Sequence, residues 1–253
     1  MMINLLRADI YKLFRNKSIY ICSGLSCVFL IMTLFIKYFA YSYIGERDTM
    51  INSFPDIFRG NLITLLAIVV SILVSFDFSK GTVKNYISKG FKREEVYVSK
   101  FIVSFITFLI FVLVNFLMFC IVSPFLFNFG EFTQSVAIGL FRMIGLEMLA
   151  FIAIISVFVF ISMLIRSLNG AITVNLCILF FAPIVLSVIS AIVSKSLTIK
   201  FNLGEYFVLN YPEMLAAYSL ENGVVIRSVI VSIVTIAVTT LLGIITFKKR
   251  DVV

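Results

Sequence analysis

The residues best placed to do work in this chain lie between positions 75 and 100. They are Asp77, Gly81, Thr82, Val83, Lys84, Tyr86, Ile87, Ser88, Gly90, Arg93 and Lys100. Gly81 and Gly90 bracket a short helical stretch. On it Val83, Tyr86 and Ile87 fall at i, i+3 and i+4 and form one apolar face, with Lys84, Lys89 and Lys92 around it. A short rigid helix of this kind suits docking in a groove of another protein. A solvated basic loop that only enforces topology fits the residues equally well.

Catalysis has little to draw on. The chain contains no histidine. That excludes Ser–His intramembrane proteolysis, HExxH zinc chemistry and most imidazole-based metal sites. No Gly-x-Gly-Asp segment suggests an aspartyl intramembrane protease, and none of the 12 glycines is followed by Lys-Ser or Lys-Thr, so there is no phosphate loop. The expectation is a protein that is not an enzyme, with no metal and no cofactor of its own. Five further residues are candidates for a substrate path: Arg142, Glu147 and Arg227 as ionisable groups in or beside apolar stretches, and Asn115 and Asn175 as deep amides. The competing reading is that the charged three lie near enough to an interface to snorkel or pair, and that the amides bond between helices. Cys22, Cys27, Cys120 and Cys177 all fall in apolar stretches and imply no disulfide framework.

The elements that carry these residues are set by lipid. Six stretches hold no charged residue: 18–36, 60–76, 101–130, 148–165, 167–194 and 228–247. About 20 apolar residues in a helix cross a bilayer core of roughly 30 Å. The chain is 61% hydrophobic and 13% charged, with mean hydropathy +1.12. A soluble domain carries about 25% charged residues. The fold expected is therefore an all-α membrane protein of six transmembrane helices, a single domain over residues 1–253.

The net charge of +8 is spread in a way that argues for topology rather than nucleic acid. With both ends inside, the inner segments carry Arg7, Lys12, Arg15 and Lys17, the basic residues of 80–100, Arg166, and Lys248, Lys249 and Arg250. The outer segments carry Glu46, Asp48, Asp56, Glu131, Glu205, Glu213 and Glu221. This positive-inside bias places both termini in the cytoplasm. The basic start followed by a long apolar run, with no small-x-small cleavage site, reads as an uncleaved first span.

Connecting segments have their own signals. Residues 1–17 form an amphipathic interfacial helix with Ile3, Leu6, Ile10, Leu13 and Phe14 on one face and Asp9 among cations. Pro124, Asn128 and Gly130 mark an outer turn. The fourth span starts around Arg142. The fourth and fifth spans form a tight hairpin, with Asn169-Gly170 as the turn signal, and Pro183 offers a kink point in the fifth. Segment 195–222 is apolar for a loop and is expected to hold short extracellular helices. Pro212 suits a helix first turn there, with Asn210 as a nearby cap.

The pattern acidic-x-x-x-Gly-Thr, a basic residue, Ser-x-Gly-x-x-Arg and a Lys opening the next span resembles the permease subunits of ABC-2 type exporters. Here it reads Asp77, Gly81, Thr82, Lys84, Ser88, Gly90, Arg93 and Lys100. The family usually has glutamate where Asp77 stands. The resemblance extends to the whole layout, from the N-terminal helix to the short membrane helices before the last span. It implies the membrane half of an ATP-driven exporter. Residues 78–100 would be the cytoplasmic coupling segment, with Asp77 and Lys100 clamping its geometry. Two copies of a separate ABC ATPase would dock there and hold the ATP and Mg. A second permease, forming a homodimer, would complete the transporter within the membrane lipids. Among such permeases the chain is most similar to small ones that export phenol-soluble modulins or give lantibiotic or bacitracin self-protection, which implies a bacterial cell membrane. Spans with so few charges offer little to replace the water of a polar cargo, so a hydrophobic or amphipathic peptide is expected. The alternatives are an ion-coupled carrier or channel, and a membrane regulator of an ATPase.

Overall fold

Lipid offers a backbone no hydrogen-bond partners, so charge-free runs of this length must close their bonds within helices. The computed structural model describes residues 2–45, 48–59, 61–130, 133–197, 203–215 and 222–249. Its elements run α1 (Met2–Arg15), α2 (Lys17–Ile44), α3 (Met50–Ser53), α4 (Asn61–Ser79), α5 (Thr82–Ser88), α6 (Arg93–Leu126), α7 (Gln134–Ile165), α8 (Leu168–Leu197), α9 (Tyr211–Met214) and α10 (Asn222–Lys249). Three 3-10 turns, Phe54–Phe58, Leu203–Tyr206 and Val208–Asn210, join them. Six of the helical stretches are long and apolar enough to cross a membrane. The protein is an all-α, multi-pass membrane protein.

The centre of the bundle is α7, which packs on α10, α4, α8 and α6. Its Ala150, Phe151, Ile154 and Phe158 are fully buried, as are Leu66, Ala67, Val70 and Val74 of α4. Phe108 of α6 stacks on Phe151 at 4.8 Å between centroids. By contrast α8 and α10 lie on the outside and present Phe180, Phe181, Ile230 and Leu241 outward. In a soluble protein such faces would be a defect. In a bilayer they are solvated by acyl chains.

Small and polar residues fix how closely the helices approach. Gly243 of α10 sits directly on the Tyr97 ring of α6, where a Cβ would overlap it. The Tyr97 hydroxyl donates to the Thr239 carbonyl at 3.3 Å, and the Thr239 hydroxyl donates to Ser156 of α7 at 2.8 Å.

Several boundaries differ from expectation. The fourth span begins at Gln134 rather than near Arg142, because residues 134–141 are themselves charge-free and extend the helix outward. Pro124 lies inside the last turn of α6, not in the outer turn, which starts at Phe127. Proline there has no N–H to give the Cys120 carbonyl, a loss that falls just before the helix ends. The hairpin between α7 and α8 turns at Arg166, which adopts a left-handed φ of 60°, while Asn169 and Gly170 already belong to α8. Pro183 is accommodated within a continuous α8.

The segment before α10 is compact where described. Val208, Leu209, Tyr211 and Leu215 are buried, and the Tyr211 hydroxyl donates to the Glu205 carbonyl at 2.7 Å. Pro212 occupies the first turn of α9 as expected. Asn210 holds the N-cap position, but its amide donates to the Gly204 carbonyl at 3.0 Å instead of accepting from the helix. Residues 198–202 and 216–221 of the expected 195–222 segment, and the charges at Glu46, Glu131, Glu221 and Arg250, lie outside the described residues.

Candidate functional site

One end of the bundle gathers α1, α5 and the adjoining ends of α4, α6, α7, α8 and α10. Phe78 beside α5 packs edge-on to Phe247 at the end of α10 at 6.0 Å, and the Arg166 guanidinium lies over the same Phe78 ring at 5.9 Å. Lys80, Lys84, Lys89, Lys92 and Lys248 make this the basic end of the bundle.

At its heart four charges from three helices meet. Asp77, in the last turn of α4, pairs with Lys100 of α6 and with Lys12 of α1, the latter at 2.8 Å. Asp9 of α1 pairs with Lys100 at 2.9 Å and accepts from the Ser99 hydroxyl at 2.8 Å. Tyr86 of α5 closes the group. Its hydroxyl donates to Asp9 at 3.3 Å and accepts from Lys12 at 2.8 Å. The side chains of Asp9, Asp77 and Lys100 are at most 5% exposed, while Lys12 remains 40% exposed. Two carboxylates and two ammonium groups balance, which is the condition for tolerating buried charge. Partial burial pulls the Lys12 pKa down, but its hydrogen bonds to Asp77 and Tyr86 outweigh that and hold it above the ordinary lysine value. Burial pushes the Tyr86 phenol up. At neutral pH Lys12 is charged and Tyr86 is a neutral donor.

The cluster positions α5. Gly81 and Gly90 flank it with φ of 66° and 86°, a left-handed conformation that glycine takes without steric cost. The expected short helix is present. Its apolar face does not point outward, however. Val83 is 1% exposed, and Tyr86 and Ile87 pack against the core. Burying that face is what the adjoining ends of α4 and α6 require. The outward face is polar, formed by Lys84, Asn85, Ser88 and Lys89. Thr82 starts the helix half-buried, and the Ser88 hydroxyl bonds back to the Asn85 carbonyl at 3.1 Å. Arg93 joins a different part of this end. It donates to the Lys248 carbonyl at 2.8 Å and so ties α6 to the end of α10.

Asp77 and Lys100, singled out in the sequence as a clamp, are indeed paired. Asp9, Lys12 and Ser99 were missed. Of the expected face of α1, Leu13 is buried and Leu6 and Ile10 pack beside it, but Ile3 and Phe14 are 74% and 56% exposed, and the fully docked row is Leu5, Asp9 and Leu13. An acid in register with two leucines at i, i+4 spacing was the available signal.

The five candidates for a substrate path do not share bonding partners. Asn115 donates to Ser26 of α2 at 3.0 Å. Asn175 donates to Ser71 of α4 at 2.7 Å and Ser162 of α7 at 3.0 Å. Arg142 donates to Asn222 at 2.9 Å, and Arg227 pairs with Glu205 and covers the Tyr206 ring at 5.2 Å. These four act as ties between elements. Glu147 differs. It is fully buried, and neither carboxylate oxygen has a hydrogen-bond partner among the described residues. It cannot snorkel, because the helix continues outward past it to Gln134. At the far end of the bundle Lys37 and Arg59 hold Asp56 at 2.6 and 3.0 Å, a second ion-paired group. No group of His, Cys, Asp and Glu among the described residues has the arrangement of a metal site.

A family model for DUF2705, described as proteins of unknown function, matches residues 20–253. That is well over half of the chain, and the protein belongs to this family. No curated protein matches its sequence.

Proposed function

We propose that the protein is the membrane-spanning permease of an ATP-driven exporter of the ABC-2 type, with ATP and Mg bound by two copies of a separate ATPase. The observation that carries this reading is α5. A seven-residue helix between two spanning helices is tied through the Tyr86 hydroxyl to Asp9 and Lys12 of α1, which in turn pair with Lys100 of α6 and Asp77 of α4. A push on such a helix is transmitted to α4 and α6 rather than absorbed by a loop. The resemblance in residues 77–100 supports the same role. The contact surface for the ATPase is the outward face, Lys84, Asn85, Ser88 and Lys89, which suits a groove lined with carboxylates.

On this reading the protein lies in a bacterial cell membrane with the basic end and both termini on the cytoplasmic side, and two permeases form a homodimer. The apolar spans favour a hydrophobic or amphipathic cargo, such as a peptide toxin or antimicrobial peptide. Exchanging residues 81–90 for a flexible Gly/Ser linker tests the assignment. Membrane insertion persists and both ATPase stimulation and export are lost; unchanged stimulation and export in that variant contradict it.

Glu147 favours a second reading, an ion-coupled carrier, because buried carboxylates within spans often mark proton or cation paths. Proteoliposomes separate the two. Under the carrier reading Glu147→Gln abolishes cargo flux driven by a proton gradient in the absence of ATP. Under the exporter reading there is no such flux to lose.

A further inference from the structure

A groove of about 820 Å³ opens at the basic end between α1, the start of α2 and the ends of α4, α6 and α8. Its wall is apolar, formed by Ile72, Leu73 and Phe76 of α4. Its rim is cationic, formed by Arg15, Lys17 and Lys80. The deeper cations, Lys12 and Lys100, are already balanced by Asp9 and Asp77. The rim cations are not. Arg15 donates to the Tyr11 hydroxyl at 3.3 Å and Lys80 lies over the Phe76 ring at 5.7 Å, and none of the three has an acidic partner among the described residues. Three uncompensated charges thus stand over an apolar wall where the spanning helices leave the hydrocarbon.

We infer that this groove holds an anionic phospholipid, with its phosphate among Arg15, Lys17 and Lys80 and one acyl chain against Ile72, Leu73 and Phe76. Charge complementarity selects the headgroup, since a zwitterionic lipid leaves the excess positive charge unmatched. The apolar wall selects a lipid over a free phosphate, which gains nothing from it. The consequence is mechanical. The groove has α1 on one side and α4 on the other, so a bound lipid bridges the two helices that carry Asp9, Lys12 and Asp77. It would hold α1 onto the cluster that fixes α5.

The test needs only the full-length chain and no ATPase, so its outcome is independent of the transport reading. The chain is placed in nanodiscs of phosphatidylcholine and phosphatidylglycerol, released, and its retained lipids are counted by native mass spectrometry. The rim variant is Arg15→Gln/Lys17→Gln/Lys80→Gln, and all three residues are exposed. The control is Lys84→Gln/Lys89→Gln/Lys92→Gln, three exposed lysines at the same end but outside the groove. The expected result is phosphatidylglycerol affinity weakened about fivefold per rim cation removed, with the control and phosphatidylcholine retention unchanged. Thermal profiles matching the parent in lipid-free detergent establish that the rim variant is folded. Equal loss in rim and control variants overturns the inference, because charge alone would then explain retention. Displacement of the lipid by millimolar inorganic phosphate also overturns it, because the site would then be an anion site without a lipid wall.

Discussion

Replacing Lys100 by methionine removes the buried one of the two cations that pair with both carboxylates. The Lys100 side chain is 5% exposed and lies between Asp9 and Asp77, which are 1% and 4% exposed. The variant leaves two buried carboxylates facing Lys12, which is 40% exposed and screened by solvent. Breaking a buried pair by removing one partner costs about 3–5 kcal/mol. Replacing Lys12 by methionine removes only the half-exposed partner and costs about 1 kcal/mol or less. At about 2–4 °C per kcal/mol for a chain of this size, Lys100→Met lowers the melting temperature by about 6–20 °C and Lys12→Met by about 2–4 °C at most. The double variant Asp77→Asn/Lys100→Met restores balance, leaving Asp9 with Lys12, and costs less than the sum of its single changes. The chain carries its own reporters. Cys22 and Cys27 are buried and react with a thiol-sensitive dye on unfolding, while Cys120 and Cys177 are exposed and set a constant baseline. A Lys12→Met loss as large as that of Lys100→Met, or strict additivity in the double variant, refutes the cluster as the structural lock.

Other consequences are as direct. Gly243→Ala drives a methyl group into the Tyr97 ring, and overpacking of this kind costs about 1–3 kcal/mol; Tyr97→Leu in the same chain recovers part of it, read by the same dye assay. Alkaline pH weakens the cluster. Lys12 and Tyr86 both have folded pKa values above their ordinary values of 10.5 and 10.0, so the stability they contribute is intact below about pH 10 and falls as pH rises through the higher folded values. Melting temperature followed from pH 7 to 11.5 stays level as far as these groups are concerned and then drops. Lys12→Arg, which does not titrate there, shrinks the drop. A Lys12-dependent fall already between pH 7 and 9 contradicts the assignment.

Much of this architecture is legible in the sequence because lipid imposes a simple rule: a run without charge that is long enough becomes a span. The glycine pair at 81 and 90 marked α5 because left-handed turns need them. What the sequence hides is register between distant helices. Asp9 reads as one charge in a basic tail until Lys100 and Ser99 are placed beside it. Once they are, the buried row of α1 shifts to Leu5, Asp9 and Leu13. The apolar face of α5 is legible in the sequence, but whether it meets the protein's own core or another chain depends on where α4 and α6 converge. In the sequence Glu147 reads either as a substrate-path residue or as one near enough to an interface to snorkel or pair, because a charge-free run begins just after it. The helix in fact continues outward to Gln134, which sets that carboxylate inside the bundle. At the α7–α8 turn, Asn169-Gly170 carried the composition of a turn, yet the chain reverses at Arg166, in a conformation that local composition does not announce.

The central claim, that α5 receives work from a separate ATPase, is tested most directly by ATP hydrolysis in a reconstituted complex. The tagged chain is co-expressed with a candidate ABC ATPase subunit, purified in mild detergent, placed in nanodiscs and assayed with and without amphipathic peptides. The account predicts a stable complex whose turnover rises with peptide, and loss of that response in Lys84→Glu/Lys89→Glu, a charge reversal confined to the exposed face of α5. A complex that forms and responds to peptide equally in that variant, or a chain that captures no ATPase and moves cargo on an ion gradient alone, contradicts it.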